Sequence, residues 1–196
     1  MNNKLKFIIA VVVLGACFAG YKWYDAYVNY RFMEISEGKV YKSGVIPPDK
    51  IDRFVKKYNI KSIVDLRGPV TADKINNPEN WKEIRAEQAA VAKIDGLRYF
   101  NIPSEQVPKQ HNLNAFYKVI DNPDNYPILI HCYHGIGRAQ VYSAVYRIEK
   151  ENWSNEDARK NAAFPVIFSS FDNGTPKGEF LKSYVARRDS INYAKE

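Results

Sequence analysis

The stretch that most constrains this chain is Ile128-Leu129-Ile130-His131-Cys132-Tyr133-His134-Gly135-Ile136-Gly137-Arg138. It opens with three apolar residues, as a strand buried on both faces does. After Arg138, the residues Val141, Ala144, Val145 and Ile148 recur at helical spacing. Between strand and helix lies a short loop that starts on a cysteine, holds two glycines and ends on an arginine. A buried strand, a tight loop and an amphipathic helix are the parts of an α/β fold with a parallel sheet.

The residue types in that loop suit one chemistry. Backbone N–H groups gathered at a helix N-terminus form an anion-binding nest. Such a nest favours the thiolate of Cys132, which is the nucleophilic form of a cysteine. A thiolate can attack phosphorus and carry the phosphoryl group as a covalent intermediate. Arg138 brings a planar fork that binds two phosphate oxygens at once, which a lysine cannot. Gly135 and Gly137 permit a tight or left-handed backbone and let the amides of Tyr133, His134, Gly135, Ile136, Gly137 and Arg138 approach the anion. His131 is placed to orient the loop. The spacing Cys-x5-Arg alone is a weak pattern. The full string His-Cys-x-x-Gly-Ile-Gly-Arg is not explained by an ordinary strand-loop-helix with a buried cysteine.

The rest of the chain alternates strands with helices. Residues 32–35 and 40–44 read as two strands joined by the Glu37-Gly38 turn. Pro47-Pro48-Asp49 ends the second and opens a helix with Ile51, Phe54, Val55 and Tyr58 on one face. Residues 60–66 form the next strand, ending in Asp65-Leu66-Arg67-Gly68. Asn77-Pro78 reads as a cap and first residue of a helix running to Ala92. Residues 97–102 form a strand, and Asn112 reads as the cap of a helix carrying Leu113, Phe116, Tyr117 and Ile120. Beyond the Arg138 helix, Ser154 with Asp157 reads as a capping box. A last helix starts near Gly178. The expected fold is an α/β sandwich, a mostly parallel central sheet flanked by helices. Asp65 and Arg67 fall at the C-terminal end of a central strand, the sheet edge where ligands bind in such folds.

The motif resembles the signature of the cysteine-dependent protein tyrosine and dual-specificity phosphatases. The resemblance extends over about residues 32–186, since Val40-Tyr41-Lys42-Ser43-Gly44, a helix, and a strand ending in Asp-Leu-Arg look like the N-terminal half of small bacterial and atypical dual-specificity members. Low-molecular-weight phosphatases fit less well, because they carry the loop near the N-terminus. The resemblance implies a nucleophile at Cys132, phosphate binding by Arg138, and no metal or cofactor. It also implies a general acid on a loop some way before the cysteine. The matching segment, residues 102–108, has Glu105 as its sole carboxylate, 27 residues before Cys132. The family commonly places Ser or Thr after the arginine, whereas this chain has Ala139, followed by Gln140. The implied substrate is a phosphorylated protein or small phosphoester. Inositide-directed relatives often carry lysines inside the loop, where this chain has Tyr133, His134 and Ile136. A lipid-phosphate phosphatase, a phosphate-binding module without turnover and a sulfurtransferase are the other readings.

The 196 residues divide into a segment 1–30 and a domain 31–196. Phe7 to Gly20 is apolar throughout, preceded by Lys4 and Lys6 and followed by Tyr21, Trp23 and Tyr24. Residues 5–24 are therefore expected to contact the membrane, with the aromatic residues at its surface and the N-terminus on the cytoplasmic side. An uncleaved anchor, a lipoprotein lipidated on Cys17 within Leu14-Gly15-Ala16-Cys17, and a cleaved signal peptide are three forms of this expectation. Each sends the domain out of the cytoplasm, in a bacterium to the periplasm. Two cysteines in unlike surroundings exclude a disulfide framework, and no His/Cys spacing matches a zinc site. The net charge of +7 suits anionic substrates. No nucleic-acid motif accompanies it.

Overall fold

The computed structural model describes residues 2–69, 74, 75, 77, 78, 80–164 and 168–189. The chain starts with a helix, α1 (Asn3–Tyr27), in which no residue is buried. Two short strands follow, β1 (Met33–Ser36) and β2 (Val40–Ser43), joined through Gly38 in the left-handed region. The order continues α2 (Ile51–Tyr58), β3 (Ser62–Asp65), α3 (Trp81–Val91), β4 (Arg98–Asn101) and α4 (Gln110–Asp121). A single 3-10 turn leads to β5 (Ile128–His131), and α5 (Arg138–Glu151), α6 (Asn155–Ala163) and α7 (Pro176–Ser183) complete the domain.

The strands form one sheet in the order β1-β2-β5-β3-β4, with β1 antiparallel to β2 and the other pairs parallel. This is the expected mostly parallel sheet. The apolar run Ile128-Leu129-Ile130 lies at its centre because both faces of β5 are covered. Ile128 and Ile130 face a core with Phe116, Tyr142, Val145 and Leu181. Leu129 faces a second core with Phe54, Ile63 and Val91. The register sets His131 level with Ser43 on one side and Asp65 on the other. The loop leaving β5 therefore emerges between the ends of β2 and β3.

The element boundaries differ from the sequence reading in instructive places. The third helix starts at Trp81, capped by Asn80, whose side chain accepts from the Glu83 N–H. Asn77-Pro78 lies ahead of it and does not open a helix. Asn112 is not the cap of α4. It sits in the first turn and accepts from the Lys109 N–H at 3.1 Å, so Lys109 is the capping position. Pro48 likewise precedes α2 by a turn, and α7 starts at Pro176 behind a Thr175 cap. Ser154 caps α6 as expected, accepting from the Asp157 N–H. α1 stops at Tyr27, and Tyr30 and Arg31 both adopt positive φ, which breaks the helix.

Candidate active site

The loop from Cys132 to Arg138 is folded by contacts on its outer side. Gly135 has a φ of +74°, and a Cβ there would lie 2.6 Å from the Ser43 carbonyl carbon. Only glycine fits against the end of β2. Gly44 is pressed from the other side, where a Cβ would meet the Tyr133 carbonyl oxygen at 3.1 Å. Three successive carbonyls of the loop are held by donors outside it. The Val45 N–H donates to the Tyr133 oxygen at 3.0 Å. The Arg31 guanidinium donates to the His134 oxygen at 2.8 Å, and the Lys42 ammonium to the Gly135 oxygen at 3.0 Å. Peptide units whose oxygens face outward turn their N–H groups inward. The Gly135 N–H accordingly donates to Cys132 Sγ at 3.3 Å, and the thiol lies buried at the base of the loop. The loop then runs into α5, whose N-terminus adds its dipole.

Arg138 is buried at the first position of α5. It donates to the Leu66 oxygen beyond β3 at 2.9 Å and to the Ser104 oxygen beyond β4 at 3.3 Å. Tyr142 steadies the same place by donating to the Ser104 hydroxyl at 3.0 Å. The expected acid loop is thus pinned to Arg138 one residue before Glu105. The Glu105 side chain itself is 45% exposed and paired with Lys109 at 2.8 Å. His134 and Tyr133 stack edge to face at 4.9 Å on the loop's outer rim, and Ile136 is exposed.

Behind the loop, Asp65 and Arg67 join a buried network that includes a residue the sequence did not point to, Glu87 on α3. The Arg67 guanidinium binds the two Asp65 oxygens at 2.9 and 2.8 Å and also binds Glu87. His131 Nε2 lies 2.9 Å from Glu87 Oε1 and 3.6 Å from Asp65 Oδ1. Tyr99 donates to Asp65 at 2.5 Å. Burial pushes the Asp65 carboxyl up, but the charge of His131 and the Arg67 guanidinium outweigh it and hold the carboxyl below its ordinary range. Burial opposes the charge of Arg67, and the Asp65 carboxylate overcomes that and raises it. Asp65, Glu87 and His131 bring ligand-type atoms together. The place of a cation among them is taken by Arg67, so the cluster is an ion-paired support for the strand end that carries Cys132.

Three cations near the loop escaped the sequence reading because each comes from a distant segment. Lys42, only 3% exposed, is pushed down to about 8 by burial, with Cys132 opposing the shift. Its one sequence signal is its place at the C-terminal end of a strand on the ligand-binding edge. Arg31 follows α1, and Lys177 is the second residue of α7. Gln106, beside Glu105, covers Gly137, where a Cβ would lie 2.7 Å from its Oε1.

A thiol at the base of an inward-facing amide ring, with a buried arginine at the head of the following helix, defines a cysteine-dependent phosphoester hydrolase. Residues 33–171 match the family described as the DSP-PTPase phosphatase fused to NAD+ kinase, and the chain belongs to that family of dual-specificity phosphatases. No curated protein matches it in sequence. Among solved structures, TpbA of P. aeruginosa has 14% identity and a TM-score of 0.60 over 85% of this chain and 92% of its own. PTPMT1 has 18% identity and a TM-score of 0.58 over 84% and 99%. The core domain of the S. cerevisiae PP-IP phosphatase Siw14 has 20% identity and a TM-score of 0.56 over 84% and 91%. At these identities the likeness is one of fold.

Proposed function

We propose that residues 31–196 form a phosphatase domain that hydrolyses phosphotyrosine, phosphoserine or phosphothreonine in proteins through a phosphocysteine on Cys132. The observation that carries this reading is the outward tethering of the Tyr133, His134 and Gly135 carbonyls, with the Gly135 N–H turned inward onto Sγ. In the first step the Cys132 thiolate attacks phosphorus, an S–P bond forms and the ester P–O bond breaks. The departing oxygen takes a proton from Glu105. Arg138 and the amides of residues 133–138 hold the three remaining oxygens as charge develops. Water then attacks phosphorus and gives a proton to the Glu105 carboxylate, the S–P bond breaks to restore the Cys132 thiolate, and phosphate leaves. Glu105 must let go of Lys109 for its carboxyl to reach the departing oxygen. The rim of half-buried Tyr133 and His134 and exposed Ile136 offers rings and an aliphatic side chain rather than a dense set of charges, which suits a peptide. TpbA has been solved with phosphotyrosine bound.

A lipid or inositol phosphate is the second reading. The cations Arg31, Lys42 and Lys177 around the loop favour it, as does α1, a helix long and apolar enough to cross a membrane. A bacterial, extracytoplasmic location with α1 as anchor accompanies both readings.

The test uses the full chain in detergent with an aryl phosphate. Hydrolysis is expected to persist in a chelator and to vanish in Cys132→Ser, while that variant still binds vanadate. Activity surviving in Cys132→Ser would overturn the mechanism. Glu105→Gln is expected to slow alkyl phosphates by about 10²-fold or more and aryl phosphates less, because good leaving groups need no proton.

A further inference from the structure

Lys177 has no role in the reaction as described. It stands second in α7, 39 residues beyond Arg138, yet its Nζ would lie 3.5 Å from a Cβ on Gly137. It therefore hangs over the last turn of the phosphate-binding loop. Its side chain is half-buried across the Phe171 ring, with Nζ 5.0 Å from the ring centre. Its hydrogen-bond partner is the Gln106 amide oxygen at 3.3 Å. Among the described residues, no carboxylate lies within ion-pair distance of it. Burial pushes its ammonium down, the negative charge of Cys132 pulls it back up, and Arg138 lowers it again. Lys177 thus lies within electrostatic reach of Cys132 and Arg138.

Gln106 fixes the geometry. Its Nε2 donates to Asn77 Oδ1 at 3.1 Å, and Asn77 is buried. With the amino end so occupied, its oxygen is turned toward Lys177 and the face of Gly137. The ammonium is held in place by neutral groups, an amide oxygen and a ring face. A half-buried cation with such partners is poorly compensated. The scissile phosphate already has Arg138 and the amide ring. The charge left over stands beside Gly137, at the last turn of the loop.

We propose that Lys177, positioned by Gln106, is a specificity-determining residue that binds a second phosphoryl group lying next to the scissile one. This rests on the phosphatase reading of Cys132 and Arg138 and adds the class of substrate, one carrying adjacent phosphoryl groups. Phe171 and Gln106 hold the ammonium beside Gly137.

The test compares orthophosphate with pyrophosphate as competitive inhibitors of aryl phosphate hydrolysis by the full chain in detergent. Wild type is expected to bind pyrophosphate more tightly than orthophosphate. In Lys177→Met the pyrophosphate inhibition constant is expected to rise about 10-fold, the lower end for loss of one charge-assisted hydrogen bond. The orthophosphate constant moves far less, so their ratio changes. Lys177→Arg restores the ratio. Lys177→Gln serves as a second neutral variant, with thermal unfolding recorded for each. Equal losses for both anions would mean that Lys177 only adds to the general field, and that result overturns the proposal. So does an unchanged ratio in both neutral variants. Absence of hydrolysis in wild type would instead overturn the reading on which the proposal rests.

Discussion

Ala139 lies in the first turn of α5 with no exposed surface, in the position after Arg138 where the related phosphatases commonly carry a hydroxyl. Sγ accepts the Gly135 N–H, and a second donor would stabilise the thiolate as it leaves phosphorus. A charge-assisted hydrogen bond is worth roughly 1.5–3 kcal/mol, or about 10- to 100-fold in rate. Attack on the substrate is less affected, since Arg138 and the amides already hold the phosphate. Rapid-quench kinetics with a good leaving group are therefore expected to show a burst before a slow steady rate. Ala139→Ser is expected to raise the steady rate. The absence of a burst, with no gain from the hydroxyl, would mean that another group already serves the sulfur. The network behind the loop makes a second prediction, this time about stability. Removing one partner of a buried ion pair leaves the other charge unpaired, so Arg67→Met should cost about 3–5 kcal/mol in chemical unfolding. Asp65 is held below its ordinary range, so the unfolded chain binds its proton more readily than the folded one. Its contribution is present above the unfolded value of about 4 and is lost as pH falls through the lower folded value. Wild type should lose stability across that acid window, and Arg67→Met should lose less there. Cys132, Arg138 and the glycines were legible because they are neighbours in sequence. Glu87, Lys42 and Lys177 were not, because only the packed sheet and helices bring them to the site.

At the scale of elements, the strand-loop-helix was readable because apolar run, glycines and helical spacing all agree. Helix starts were harder. Asn77, Asn80 and Asn112 are all chemically fit to cap, and tertiary packing decides which one does. The segment between α1 and β1 shows what periodicity cannot reveal. Phe32 stacks on Tyr58 at 4.3 Å and on Tyr41 at 5.3 Å, and Tyr30 meets Phe54 edge on at 5.9 Å. The Tyr30 oxygen accepts the Gly44 N–H at 2.7 Å. This places the Arg31 guanidinium against the His134 oxygen. Arg31→Ala is expected to weaken vanadate binding about 3- to 10-fold, a charge-assisted bond discounted for partial exposure. Arg31→Lys should recover part of it. If the variant only lowers the unfolding temperature and leaves vanadate affinity intact, the contact braces the linker and not the loop.

For the whole molecule, the question is what covers α1. Its 25 residues reach about 37 Å at 1.5 Å per residue, more than the roughly 30 Å of a bilayer core. Phe7, Val12, Leu14 and Phe18 are all more than half exposed, and no residue of the helix is buried against the domain. Tyr21, Trp23, Tyr24 and Tyr27 cluster at one end, as residues of a membrane interface do. Arg31 lies four positions beyond Tyr27, at most about 14 Å of chain. Since Arg31 touches the loop, an α1 seated in a bilayer sets the phosphate-binding loop close to the membrane surface. Lys4 and Lys6 ahead of the apolar run favour a cytoplasmic N-terminus, and hence a domain on the far side. A reporter fused after Glu196 in a bacterial host is therefore expected to be active only when it requires export. Cys17→Ser separates the modes of attachment. Cys17 is exposed on α1, and a helix that spans the bilayer needs no lipid there. The variant should stay in the membrane fraction at full length and carry no less fatty-acid label than wild type. Loss of label and release from the membrane would replace the span by a lipidated cysteine. A shortened, soluble product from wild type would replace it by a cleaved signal. An active cytoplasmic reporter would place the loop, and every substrate argued for it, on the opposite side.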